Sequence, residues 1–313
     1  MKKVNAVIFF YTLSGFLFSQ IPSTIATAVD KSHKGASKDS TKYWNITGFA
    51  SLNVSQAAYS NWAAGGQNSL GLVGLVNLNI NYSEGKHAWA NIINLGYGFQ
   101  FLGFGTSSQQ YSKTDDKIEL TTSYGYEIHS NKKWYASMLA NFRSQFSNGF
   151  NYPDDSTVIS TFMAPAYLVV GIGITYVPAK WFRVYLSPTS GRFTFLLDQA
   201  LADSGSYGLK HGKKFRSQFG PYLRADLNKD LAKNINLTSS LELFTDYLNN
   251  FGNIDVNWNL LLTLKVNKWL ATTINLNLIY DDDIIIKDDK NDPGGPRTQF
   301  KEILGVGISY KIE

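Results

Sequence analysis

The chain is 313 residues long, with 29 Lys and Arg against 24 Asp and Glu, a net charge of +5 and no cysteine. The missing thiols exclude disulfides and thiolate metal sites, and Lys and Arg scattered among acids and short turns argue against a nucleic-acid binder. Charged residues are only 17 % of the chain, below the roughly 25 % of soluble domains, as expected where lipid rather than water covers an outer face.

The first segment reads as a targeting signal. Lys2 and Lys3 form a positive start, and Ala6 to Phe18 form an apolar run too short to span about 30 Å of hydrocarbon comfortably. We expect a signal peptide over 1–28, with cleavage after Ser19 or after Ala28 in the small-x-small triplet Ala26-Thr27-Ala28. The alternative is an anchor helix. Residues 29–43 are polar and aperiodic and read as a flexible periplasmic lead. No later stretch is a plausible spanning helix, so a mature chain that spans a membrane must do so with strands.

From Trp44 onward the period is two, the mark of strands with two unlike faces. Leu70, Leu72, Val76, Leu78 and Ile80 alternate with Gly71, Val73, Asn77, Asn79 and Asn81. Ile254, Val256, Trp258, Leu260, Leu262 and Leu264 alternate with Asp255, Asn257, Asn259, Leu261 and Thr263. The pattern predicts strands near 44–57, 68–83, 87–101, 115–128, 133–147, 164–177, 181–197, 214–228, 233–247, 254–267, 269–281 and 299–312. Many exceed the usual globular length of about 5–6 residues, as strands crossing a tilted lipid layer must.

Connections alternate between short turns and long loops, the bacterial outer-membrane pattern. Turns fall at Lys86, Lys132, Lys180, Asn228 to Ala232 and Lys268, and loops at 58–67, 102–114, 148–163, 198–213, 248–253 and 282–298. Tyr82, Trp89, Trp134, Tyr176, Trp181, Trp269 and Tyr310 flank the turns. Phe99, Phe101, Phe146, Phe215, Tyr247 and Tyr280 lie near the loops, so aromatics gather at both strand ends as at lipid headgroup levels. A β-sandwich with core aromatics is the alternative, but it gives no reason for that sorting. The expected fold is all-β: a closed antiparallel transmembrane β-barrel of about 12 strands over 44–313 in the cell outer membrane, termini in the periplasm and long loops outside. Leu304, Val306, Ile308, Tyr310 and Ile312 alternate in the last strand, a pattern similar to the signal read by the outer-membrane insertion machinery, although Ile312 and Glu313 extend past the aromatic.

The less apolar face would line the interior. Arg143, Arg183, Arg216, Arg224, Glu242, Asp246 and Asp255 are the constriction candidates on it. A turn at 228–232 puts Arg216 near Asp246 and Gln218 near Glu242, with Asp255 opposite Asp246. Either these groups pair and fill the interior, or they stand across water and select solutes by sign. His33, His87, His129 and His211 stand at turns, in a loop or before the first strand, and no nucleophile–His–acid arrangement is visible. The Asp-rich stretch 281–292 lacks the ordered spacing of a calcium loop and reads as solvated. No metal site, cofactor or catalytic residue is expected.

Three stretches carry a family resemblance: Ser60-Asn61-Trp62-Ala63-Ala64-Gly65-Gly66-Gln67-Asn68-Ser69, Leu186-Ser187-Pro188-Thr189-Ser190-Gly191-Arg192-Phe193-Thr194-Phe195, and Ile279-Tyr280-Asp281-Asp282-Asp283-Ile284. Together they resemble the family called domain of unknown function 3078, from about Trp44 to the C-terminus. The resemblance implies a secreted, outer-membrane barrel of Gram-negative bacteria and transfers no activity. It adds Trp62, Gly65, Gly66 and Asn68 as loop candidates, either packing the first long loop down or folding it inward as a constriction. The functional expectation is a non-enzymatic protein, either a narrow channel for small polar solutes or a plugged accessory barrel of an outer-membrane assembly. A barrel enzyme is a remote third. Expected partners are outer-membrane lipid, the insertion machinery, and a small polar solute or partner membrane proteins.

Overall fold

The computed structural model describes residues 43–59, 66–131, 133–179, 181–267, 270–286 and 294–312. The expected leader, residues 29–42 of the lead, Trp62, Gly65, Lys132, Lys180, Lys268 and Trp269 lie outside them.

Alternation of faces becomes long antiparallel strands almost where the sequence puts them. The first five are β1 (Trp44–Ala57), β2 (Ser69–Glu84), β3 (His87–Leu102), β4 (Gln110–Glu127) and β5 (Trp134–Ser144). A loop hairpin of β6 (Gly149–Phe150) and β7 (Val158–Ser160) leads to β8 (Ala166–Ala179) and β9 (Phe182–Phe195). The next loop holds the short helix α1 (Gln199–Asp203), capped by the Asp198 carboxylate on the Leu201 N–H. Then come β10 (Phe215–Ala232), β11 (Ile235–Phe244), β12 (Asp255–Lys265) and β13 (Leu270–Tyr280). The last loop carries β14 (Ile285–Ile286) and β15 (Gly295–Pro296) before β16 (Gln299–Ile312).

Buried and exposed positions alternate strictly over residues 119–127 of β4 and 134–139 of β5. Glu119, Thr121, Ser123, Ser137 and Asn141 are buried, while Leu120, Tyr124, Met138, Ile172 and Ile174 are exposed. Polar side chains therefore point inward and apolar ones outward, the reverse of a water-soluble domain. Aromatics cluster at the strand ends: Trp134 stacks on Tyr176 at 4.2 Å and Trp44 meets Tyr82 at 5.1 Å near the short turns. Phe193, Phe195, Phe215 and Phe219 pack together near the loops.

The expected closed antiparallel transmembrane barrel needs correction. Strand pairing passes round twelve strands in the order β1, β16, β13, β12, β11, β10, β9, β8, β5, β4, β3, β2, but the sheet does not close into a barrel around one axis. The shortest join in the ring is the seam between β1 and β16. β1 and β2 are in register from Trp44↔Tyr82 to Ala57↔Ser69, whereas β1 and β16 pair only from Gly48↔Ile312 to Leu52↔Ile308. Through its other edge β16 bonds β13 over residues 299–308. Closure requires strand number, tilt and stagger to agree, and a period-two pattern fixes faces without fixing stagger.

A second correction concerns the turn expected at 228–232. β10 continues to Ala232 through a register shift at Asp230, and the chain reverses at Lys233 and Asn234, where Asn234 takes φ 70°. The register becomes Arg224↔Glu242 and Tyr222↔Phe244. Gln218 therefore does not face Glu242, and Arg216 does not face Asp246.

Candidate functional site: two charged clusters on the inner face

The inward positions of β4, β5, β9, β10 and β11 carry a continuous chain of ion pairs. Arg183 donates from Nε and Nη2 to Asp226 Oδ2 at 2.8 and 2.5 Å. Arg224 bridges onward, Nε to Asp226 Oδ1 at 3.0 Å and Nη1 to Glu242 Oε1 at 2.5 Å. Arg143 Nη2 reaches both Glu242 oxygens at 2.8 and 2.7 Å, and its Nε lies 3.5 Å from Glu119 Oε1. Lys117 ends the chain, 2.6 Å from Glu119 Oε2. Asn94 and Asn141 also donate to Glu119.

Three strands, β8, β9 and β10, stand between β5 and β11 in the wall. The Arg143–Glu242 pair is therefore a chord across the interior rather than a contact between neighbours. Arg183 is 2 % exposed and Asp226 fully buried, so these charges depend on one another for lost hydration. Leu139, Val169, Tyr185, Tyr222 and Phe244 form an apolar cluster on the same inner wall, which lowers the local polarity around the pairs.

The second cluster lies where β9, β10 and β12 meet the loop after β13. Arg192 donates to Gln218 Oε1 at 2.8 Å and pairs with Asp255 at 2.6 Å, Asp281 at 3.6 Å and Asp283 at 3.7 Å. Its guanidinium also covers the Phe244 ring at 4.4 Å. Arg216 pairs closely with Asp283 and donates to the Gly208 carbonyl at 2.9 Å. Gln218 Nε2 donates to Asp283 at 3.0 Å. The loop is thus drawn inward over three strands, and burial pushes the Asp281 carboxyl above its ordinary value while Arg192 opposes that shift. Asp255, Asp281, Asp282 and Asp283 offer oxygens within 4.8 Å of one another, but Arg192 and Arg216 already stand among them.

Of the constriction candidates, Arg143, Arg183, Arg224 and Glu242 come together in the first cluster, Arg216 and Asp255 in the second. Asp246 joins neither as an ion pair; it accepts from the Leu248 N–H at 3.0 Å and Asn249 at 2.9 Å, shaping its own turn. Among the loop candidates, Asn68 Oδ1 accepts from the Tyr59 N–H, and its carbonyl accepts from Gly103 and Phe104. Gly66 has φ 150° and lies under the Tyr59 ring, where an added Cβ would approach to 2.7 Å. Both positions lie at the described edge of the first loop, whose residues 60–65 lie outside the described residues.

Sequence reasoning did not single out Lys117, Glu119, Asp226 or Arg192, and it read Asp281 and Asp283 as part of a solvated loop. Asp226 stands two residues from Arg224 on the same face of β10, so parity pointed to it. Arg192 and Asp281 to Asp283 lie in two of the family stretches. The Asp-rich stretch, taken for a solvated loop, is tied into the mouth over residues 281–283. Among the described residues, His87 meets the Tyr124 hydroxyl, His129 the Asn131 N–H and His211 the Asp203 carbonyl, with no His on a carboxylate.

Several solved structures align with the chain at low identity. The translocator domain of the autotransporter NalP from Neisseria meningitidis aligns over 92 % of this chain and 97 % of its own, at 11 % identity and TM-score 0.34. An outer membrane channel from Pseudomonas putida F1 aligns over 88 % and 100 %, at 12 % identity and TM-score 0.38. The monoaromatic hydrocarbon channel CymD aligns over 94 % and 93 %, at 11 % identity and TM-score 0.36. No curated protein matches the chain in sequence. Residues 54–150 match the model of a family described as a protein of unknown function (DUF3078), a stretch that takes in the first of the three sequence motifs and not the other two.

Proposed function

We propose that this chain is a non-enzymatic, transport-associated protein of the outer membrane whose interior is held shut by its own ion pairs. The apolar outward face and two aromatic zones support residence in lipid. Insertion by the outer-membrane machinery, periplasmic termini and external loops belong to the same reading. The observation that carries it is the Arg143–Glu242 chord, with Arg224, Asp226 and Arg183 continuing the chain behind it. Paired charges of this kind fill space and satisfy one another, whereas a selective eyelet would hold them apart across water.

A second reading, a narrow passage for small polar solutes, draws on the wall beside Glu242, where β12 and β13 follow β11. There Asn257, Asn259 and Asn277 bond one another, an uncharged polar strip of the kind a small polar solute would follow. Planar-bilayer recording on purified protein separates the two. The expected result is no stable conductance in the wild type and discrete steps in Arg143→Ala. Stable wild-type steps of unchanged size in Arg143→Ala would overturn the sealed reading and favour the passage.

A further inference from the structure

The weakest line in the wall is the seam between β1 and β16. Beyond Leu52 and Ile308 the two strands continue without pairing to each other. Residues 53–57 keep β2 as their neighbour, and residues 299–307 keep β13. Unpaired backbone donors and acceptors are costly in lipid, so a fork of this kind needs something to hold it.

The sequence does not forbid closing it. Continuing the existing register sets Asn53 opposite Gly307, Val54 opposite Val306, Ser55 opposite Gly305, Gln56 opposite Leu304 and Ala57 opposite Ile303. None of these is charged or proline, the residues that block edge pairing. At the fork itself Asn53 is 4 % exposed, and its amide nitrogen has no hydrogen-bond partner. Zipping would bring backbone carbonyls of β16 beside it.

The mouth cluster supplies the restraint. The loop after β13 is bound to β9 and β10 by Arg192, Arg216 and Gln218. In the order of the wall those strands lie on the side of β13 away from β1. β16 is bonded to β13 along the unzipped stretch, so a pull on that loop would pass through β13 to β16, away from β1.

We propose that the β1–β16 seam is a lateral gate: open in its upper half in this structure, and zipping along the existing register when Asp281 and Asp283 release Arg192 and Arg216. Open, it joins the polar interior to the surrounding lipid; zipped, it completes the wall. The inference rests on the membrane-embedded reading, but cross-linking reports on the seam whether or not the protein conducts.

The absence of cysteine makes the test direct. Ser51→Cys/Ser309→Cys bridges a register pair already formed, where facing Cα atoms fall within disulfide reach. Ser55→Cys/Gly305→Cys bridges the fork, and Val54→Cys/Val306→Cys repeats the measurement one residue along. In native membranes under mild oxidant, the first pair should cross-link at once. A zipped state populated at about 0.1–10 % should slow the fork pairs about 10- to 1,000-fold while still letting them go to completion. Adding Asp283→Asn should speed them. Fork pairs as fast as the control would mean a permanently closed seam, and fork pairs that never link would mean no gate. Failure of the control would remove the seam itself, and an unchanged rate with Asp283→Asn would overturn the restraint by the mouth.

Discussion

The wall has a firm flank and a loose one. From β8 to β11 each strand is paired along most of its length with both neighbours, and the inner face carries buried charges that bond across three strands. At the β1–β16 seam five residue pairs join the strands, and no ion pair crosses it among the described residues. The contrast shows that a sheet of this kind is fixed less by its count of strands than by what reaches across its interior. Inward Arg, Asp and Glu tie the flank, whereas the inward positions of β1 offer Asn53 and Ser55.

The largest expected effect comes from cutting the firm flank. Glu242→Ala leaves Arg143 and Arg224 facing one another without their shared carboxylate, a loss of about 3–5 kcal/mol. Thermal unfolding in detergent should show it, and a change within experimental error would mean that water already hydrates both guanidiniums. A paired replacement, Arg183→Met with Asp226→Leu, should cost less than Glu242→Ala but still destabilise, because Arg224 loses its bond to Asp226.

Glycine sharpens the comparison between flanks. An alanine Cβ at Gly220 would run into the Thr245 carbonyl oxygen where β10 shifts register against β9, whereas one at Gly74 in β2 meets nothing nearer than 4.0 Å. Gly220→Ala should cost about 1–3 kcal/mol by overpacking, and Gly74→Ala should gain about 0.5–1 kcal/mol from reduced chain entropy. Equal effects at the two sites would erase the distinction.

The smallest effect lies in the loop beyond the firm flank. The hydroxyl and N–H of Ser156 and the hydroxyl of Thr157 hold the exposed Asp154 carboxyl down at about 2. A carboxyl depressed below its unfolded value of about 3.9 stabilises the folded loop above that pH. The contribution fades as pH falls from about 4 towards 2. NMR titration should find its midpoint near the lower end, with Ser156→Ala moving it up. A midpoint at the ordinary value in the wild type would mean that the loop does not hold these bonds in solution.

Much of this was legible in the sequence because it is local. Alternation at period two set the strands, and the boundaries of β1, β3 and β16 fall within a residue of expectation. Inward parity picked out Arg143, Arg183, Arg224 and Glu242 as interior groups. It could not say which would meet, because partners depend on register, and register turned on a reversal at Asn234 that no strong turn signal marks. Arg192 was hidden for a related reason: a lone Arg in a strand gains meaning only when a loop 89 positions later in the chain folds over it.

The sequence by itself determined the strands, their two faces and the sorting of aromatics to their ends, since each follows from a side-chain period that neighbours in the chain enforce. Only the tertiary structure decided the stagger between strands, and with it the Arg143–Glu242 chord, the Arg192 cluster at the mouth and the short β1–β16 seam. Stagger is a sum of small offsets and bulges around the whole wall, and no single stretch of sequence holds that sum.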